Sequence, residues 1–391
     1  ALRKKVEHKE YKTIATGILR RGFLLVFFAI ALAYFTVDNL TATKPINYIS
    51  SLLVFAAFFM IFMRFEGPIW KRYGIQFFGF FIICALAYYH SVIVGNTFHK
   101  SKNNIIILIL ANMAVFGTLC WLLTRRSHLL RLAILIVFIG IWFSKDVEGA
   151  WTAKLWNFHP SMYWFYNFAY LKYLCIVLPG SILGDFILQY KDINTLNYEN
   201  KDRKKVGLLV VLCFSFVVFH VVTLYNRSLE LNWWGNALFG VAFYLVCYGT
   251  TSKYLLFYRL LIAWGFTFTT IALFFEPLDG GIKKDPSSFS YWFLTSGLAF
   301  MFYIVCEYVT KEYQSNFFIK AVIRNGQNPM IAYCVSAFCI TPILGLTYVL
   351  PLLDNLWNTN PYLGLIRTSI YMVLMIWITN YATNKKWFWK S

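Results

Sequence analysis

The stretch Asn104-Ile-Ile-Ile-Leu-Ile-Leu-Ala-Asn-Met-Ala-Val-Phe-Gly-Thr-Leu-Cys-Trp-Leu-Leu-Thr124 holds no charged residue, and Arg125-Arg126 follow it at once. A helix needs about twenty apolar residues to cross about 30 Å of hydrocarbon. Backbone groups in lipid find no water, so such a segment must satisfy its own hydrogen bonds as a helix. The stretch therefore predicts a transmembrane helix. Segments like it recur along the chain, and twelve spans are predicted. The first six are Ile18–Val37, Tyr48–Met63, Ile75–Val94, Asn104–Thr124, His128–Ser144 and Tyr163–Leu188. The second six are Val206–Leu224, Trp233–Tyr248, Tyr254–Phe275, Ser290–Val309, Asn328–Tyr348 and Tyr362–Tyr381. The predicted fold is all-α, a polytopic transmembrane helical bundle forming one domain over residues 1–391.

Composition agrees with that reading. The 391 residues are 59% hydrophobic and only 14% charged, whereas soluble domains hold about 45–50% apolar and about 25% charged residues. The formal charge of +19 raises the question of nucleic acid, but its distribution argues against that partner. Basic residues gather in alternate loops, as in Lys71-Arg72, Arg125-Arg126 and Arg203-Lys204-Lys205, and the intervening loops are near neutral. This is the positive-inside pattern of a multi-pass protein, and it predicts both termini and a basic segment at 1–17 on the cytoplasmic side. A bacterial cytoplasmic (inner) membrane is the expected location, with membrane lipids as partners. The eight cysteines, Cys84 to Cys339, all fall in apolar spans without metal-ligand spacing, so they are expected to be small buried hydrophobes and no metal is expected.

Charges inside spans are costly and are functional candidates by default. Lys172 and Asp185 both lie in the sixth span, thirteen positions apart, or about 20 Å along a helix, which excludes a direct pair. Between them run Leu178-Pro179-Gly180-Ser181-Ile182-Leu183-Gly184. Pro179 interrupts the helical ladder, while Gly180 and Gly184 admit close backbone approach. The stretch reads either as a tight helix crossing or as a backbone-lined pocket, with Asp185 structural.

Two further stretches stand out. Glu276-Pro-Leu-Asp-Gly-Gly-Ile-Lys-Lys-Asp-Pro-Ser-Ser-Phe-Ser-Tyr291 places Lys283, Lys284, Ser288 and Ser290 at the mouth of a span. Ser288 reads as a helix cap, or the lysines as an anion site beside a helix N-terminus. Arg324-Asn-Gly-Gln-Asn-Pro-Met-Ile-Ala-Tyr333 opens a span from the basic side. Asn328 followed by Pro329 suits a cap and first turn, and Arg324 with Lys320 suits a phosphate there. Among the six histidines no pair has zinc spacing; His159, on an outer loop, is the best-placed proton carrier, with a structural role as its alternative, as for His90.

Taken together, these stretches resemble the heparan-alpha-glucosaminide N-acetyltransferase family and its bacterial homologues. The segment Ile282-Lys-Lys-Asp-Pro-Ser-Ser-Phe-Ser-Tyr-Trp292 is similar to that family's Asn-Lys-Asn-Leu-Trp-Ser-Leu-Ser-Tyr, with Lys284, Ser288, Ser290 and Tyr291 matching. Gly326-Gln-Asn-Pro-Met-Ile-Ala-Tyr333 resembles its Gly-Met-Asn-Ser-Ile-x-x-Tyr, with Gly326, Asn328 and Tyr333 matching. Leu178–Asp185 resembles its Gly-x-x-x-Gly span, and Arg20-Arg21-Gly-Phe-Leu-Leu the basic start of its third helix. In the family two helices precede that start, and the loop between them carries the histidine assigned to acetyl transfer. No residue here corresponds to it. The expectation is that this segment is missing from the front or has been lost.

The resemblance implies acetyl transfer from cytosolic acetyl-CoA, as co-substrate, to an amino sugar or other glycan across the membrane. It implies that Lys284, Ser288, Ser290, Tyr291, Asn328, Tyr333, Lys172 and Arg324 shape the binding cleft. A basic cytoplasmic face would attract the polyanionic donor. The alternatives are a small-molecule transporter with a site at the broken sixth span, and a non-catalytic membrane subunit in a homodimer or larger complex.

Overall fold

The computed structural model describes residues 10–63, 68–96, 104–160, 165–190 and 200–389. The chain is all-α and polytopic, an integral, multi-pass membrane protein. Its helices are α1 (Tyr11–Phe35), α2 (Lys44–Phe62), α3 (Ile69–Tyr88), α4 (Ile105–Thr124), α5 (His128–Ser144), α6 (Trp151–Trp156), α7 (Leu174–Gln189) and α8 (Asn200–Tyr225). There follow α9 (Leu229–Cys247), α10 (Lys253–Phe275), α11 (Phe289–Glu312), α12 (Phe317–Gln327), α13 (Pro329–Val335), α14 (Thr341–Leu346), α15 (Leu350–Thr359) and α16 (Pro361–Asn384). Among the described residues, ten helical segments are long and apolar enough to cross a membrane.

Each of the twelve expected spans holds a helix, but two of those helices fall outside the ten, and Tyr163 and Trp164 of the sixth span lie outside the described residues. Helix α5 has 17 residues, or about 26 Å at 1.5 Å per residue, short of the hydrocarbon thickness. Helix α9 has 19 residues, but Glu230, Asn232 and Asn236 dilute its apolar character. Boundaries moved as well. Helix α1 begins at Tyr11, so part of the expected 1–17 segment is helical; residues 1–9 of it, and 191–199 of the longest basic loop, lie outside the described residues. The sixth span opens with a 3-10 turn, Phe168–Tyr173. The eleventh is interrupted by a π-helical turn, Ser336–Ile340.

The chain divides into two compact units, with the boundary inside α4 after Val115. The first comprises residues 1–115, 160–166 and 315–391. Its core is aromatic: Phe28 packs edge-on against Phe58 and Phe62, at 5.0 and 5.2 Å between ring centres, and Trp389 from the C-terminal segment stands 4.9 Å from Phe59. Some polar groups in this core are paired, as burial without water favours, while Asn47 Oδ1 and His90 Nδ1 have no partner among the described residues. His90 Nε2 meets Ser50 Oγ at 2.9 Å, and Ser51 donates to Phe35 O at 2.7 Å. His90 is thus a buried structural histidine.

The second unit comprises residues 116–159 and 167–314. Its most extensive helix contact joins α10 and α11. Gly265 and Gly297 make that contact possible: a Cβ on Gly297 would stand 2.3 Å from Thr269 Oγ1 and 2.7 Å from Gly265 O. Absent side chains let the two backbones touch, the small-residue packing common between membrane helices. Helix α7 packs on α11, and its Leu178 and Ile182 are fully buried.

Candidate functional site

Helix α7 carries charge at both ends and an unfilled surface between them. At its C-terminal end Asp185 faces α5, where Arg131 Nη2 donates to Asp185 Oδ2 at 2.6 Å. Arg131 Nη1 donates to Ser181 Oγ at 3.1 Å, and Trp121 Nε1 donates to Asp185 Oδ1 at 3.2 Å. His128, one turn before Arg131, brings Nε2 to 3.7 Å from Asp185 Oδ2. The Arg131 side chain is 0% exposed and that of Asp185 17%, so each charge survives burial only through the other. Arg131 Nε has no partner, which leaves the guanidinium incompletely satisfied.

At the other end Lys172, half-buried in the 3-10 turn, holds Nζ 5.4 Å above the Tyr173 ring. Asp285 lies within its electrostatic reach, and Ser287 Oγ donates to Tyr173 OH at 3.3 Å. The 276–291 loop therefore folds onto the start of α7. Its order comes from a bond to Arg227 and from bonds within the loop. Glu276 pairs with Arg227 at 2.9 Å, and Asp279 Oδ2 accepts from Ser290 N at 2.7 Å. Gly281, at φ +114°, takes a turn conformation closed to most side chains. Ser288 Oγ caps α11 by accepting from Tyr291 N at 3.2 Å, as its sequence position suggests, and lies 2.8 Å from Ser290 Oγ. Both serines are buried and spend their hydroxyls on the loop, while Lys283 and Lys284 are exposed.

Between the two ends the sequence expectation needs correction. Gly180 and Gly184 make no close approach: a Cβ built on either would meet nothing within 4 Å. The tight contact on this side of α7 is at Gly117 of α4, whose Cβ would stand 2.8 Å from Val177 Cγ1. Pro179 is buried and Gly180 exposed. Ser181 Oγ donates to Leu178 O at 2.7 Å. Lys172 thus lies in the 3-10 turn that leads into α7 and Asp185 near the helix end, and between them a Cβ on Gly180 or Gly184 would meet open space.

The remaining expected residues lie elsewhere. Asn328, Tyr333 and Arg324 belong to the first unit. Asn328 does begin α13, but its side chain makes no cap bond. Its Nδ2 donates instead to Trp387 O at 2.7 Å, and its Oδ1 accepts from Trp389 N at 3.4 Å. That clasp draws the C-terminal segment into the core. Arg324 O accepts from Thr383 Oγ1 at 3.2 Å, and Tyr333 OH accepts from Asn104 Nδ2 at 3.0 Å. His159 is exposed beyond α6.

Sequence reading missed two residues. Arg131 looks like one more cation of the basic rim, yet it sits in Leu129-Leu-Arg-Leu-Ala-Ile-Leu135 with His128 three positions before it, a charge inside an apolar helix. Glu307 is likewise the carboxylate inside the tenth span; it accepts from Tyr258 OH at 2.6 Å and from Tyr254 OH.

Residues 1–187 match a family model described as a domain of unknown function, DUF5009. The matched region takes in both Arg131 and Asp185. No curated protein and no solved structure matches the chain.

Proposed function

We propose that the protein is an acyltransferase of the bacterial cytoplasmic membrane, moving an acetyl group from cytosolic acetyl-CoA to the amine of an amino sugar or glycan on the opposite side. The observation that carries this reading is the open space beside Gly180 and Gly184 of α7, with Arg131, Asp185 and His128 toward one end of the helix and Lys172 just before the other. Arg203, Lys204, Lys253 and Lys311 lie at the same end of the second unit as Asp185, joined there by the Arg203–Glu312 contact of 3.4 Å. Such a cluster attracts a donor that carries several phosphates, and the orientation it sets places that end in the cytoplasm. In the transfer the acetyl carbon leaves sulfur for nitrogen, and the amine proton ends on the CoA thiol. His128, beside Asp185, is placed to carry a proton at the donor end. The resemblance to the N-acetyltransferase family adds to this reading at Lys284, Ser288, Ser290 and Tyr291.

The test uses purified protein in detergent with acetyl-CoA and a glucosamine-ended acceptor, and the same protein in sealed vesicles. Acetylated acceptor should form with release of CoA. Gly180→Leu, which extends a side chain into the space where a Cβ meets nothing within 4 Å, should lower the rate at least tenfold at an unchanged melting temperature. Absence of transfer, an unaffected Gly180→Leu rate, or acceptor flux through vesicles without CoA release each overturns the proposal.

A further inference from the structure

Helices α9 and α10 are held together by Asn236, whose Nδ2 donates to Thr270 Oγ1 at 3.1 Å. A turn beyond, Phe266 lies against Gly240, so closely that a Cβ there would stand 2.8 Å from its ring. Toward the basic end the helices part around a cleft of about 460 Å³. This volume is within the roughly 300–1,000 Å³ typical of small-molecule sites. Phe243, Ile262, Ala263 and Phe266 make its walls apolar, and the exposed Tyr244, Tyr248 and Arg259 complete its lining.

The chemistry of that lining selects an occupant. Tyrosines at the end of an apolar helix suit the headgroup level of a bilayer. Arg259 interrupts Leu255-Leu-Phe-Tyr-Arg-Leu-Leu-Ile262, and a cation in such a helix is costly unless it meets an anion or reaches the interface. Arg259 makes no ion pair among the described residues. Glu307, a carboxylate on the neighbouring helix α11, is engaged by Tyr254 and Tyr258. Lys205, on α8, and Arg259 both lie within electrostatic reach of Cys247 at the end of α9. Among the described residues no anion satisfies Arg259, and one from outside the chain that does so needs an apolar body to fit between the helices.

We infer that the α9–α10 cleft is a binding site for an anionic phospholipid, with an acyl chain against Phe243, Ile262 and Phe266 and the phosphate at Arg259. This site is separate from the open face of α7 at Gly180 and Gly184 and does not depend on acyl transfer. Basic pockets between membrane helices favour anionic headgroups over zwitterionic ones.

Native mass spectrometry of the detergent-purified chain tests it, with phosphatidylglycerol and phosphatidylcholine of identical chains added in equal amounts. The wild type should retain phosphatidylglycerol in preference. Arg259→Gln should reduce that preference about fivefold, the scale set by one basic side chain at an anionic surface. Ala263→Phe, at an exposed position inside the cleft, should abolish retention of both lipids. Millimolar inorganic phosphate should not displace the bound lipid. Equal retention of the two lipids by the wild type, an unchanged preference in Arg259→Gln, wild-type retention by Ala263→Phe, or displacement by phosphate overturns the inference. If Ala263→Phe does not fold, Arg259→Gln with a wild-type melting temperature decides alone.

Discussion

Helix α7 and the α10–α11 pair both carry glycines at membrane depth, and they use them in opposite ways. Gly265 and Gly297 lie where two backbones touch, with Thr269 Oγ1 and Gly265 O in the volume that a side chain would occupy. Gly180 and Gly184 lie where nothing approaches. The first pair lets helices pack; the second leaves a helix face bare. The polar groups follow the same division. Thr269 is turned inward and bonds the carbonyl of Gly265 at 3.0 Å, whereas Ser181 and Asp185 border the bare face and hold a buried arginine. A small-residue pattern in a membrane helix thus marks either contact or vacancy, and only the neighbouring helices decide which.

The largest expected effect concerns the charges that border the bare face. Asp185→Leu strands a fully buried guanidinium and should destabilise the second unit by about 3–5 kcal/mol. The double variant Asp185→Leu with Arg131→Leu should recover most of that loss. Thermal unfolding in detergent measures both; an Asp185→Leu protein as stable as the wild type would show that the pair does not hold α5 to α7. Next comes the packed pair. Gly297→Ala should cost about 1–3 kcal/mol through overpacking, and a wild-type melting temperature would remove the distinction between the two sets of glycines. Ser288→Ala should cost about 1 kcal/mol through the lost cap on α11, visible as faster hydrogen exchange in the first turn after Phe289. The smallest effect belongs to Gly180→Ala, which should leave stability unchanged or raise it by up to about 1 kcal/mol, because alanine is the better helix former and meets no neighbour. A loss comparable to that of Gly297→Ala would mean that α7 is packed after all.

These contrasts also explain how far the sequence could be read. Helix positions were legible because lipid demands long, uncharged, self-bonded segments, and each of the twelve expected spans holds a helix. The cap at Ser288 was legible because capping is local chemistry. The partner of Asp185 was not: Arg131 is 54 positions away, and its neighbour Arg126 looks alike in the chain yet is not buried. The role of Asn328 was half legible. Its place before Pro329 announced a helix start, but its side chain answers to Trp387 and Trp389 some sixty residues on. Gly180 and Gly184 misled for the same reason, since spacing records which residues share a face and says nothing of what faces them.

The measurement that bears most directly on the bare face of α7 is its contact with water. Gly180→Cys and Gly184→Cys, reconstituted in vesicles, should react with a membrane-impermeant thiol reagent above the background of the native cysteines, and acetyl-CoA should slow that reaction. Leu238→Cys, at an exposed apolar position on α9, should stay unmodified. If the two α7 cysteines are as unreactive as Leu238→Cys, the face lies in lipid and the proposed acyl passage is not there.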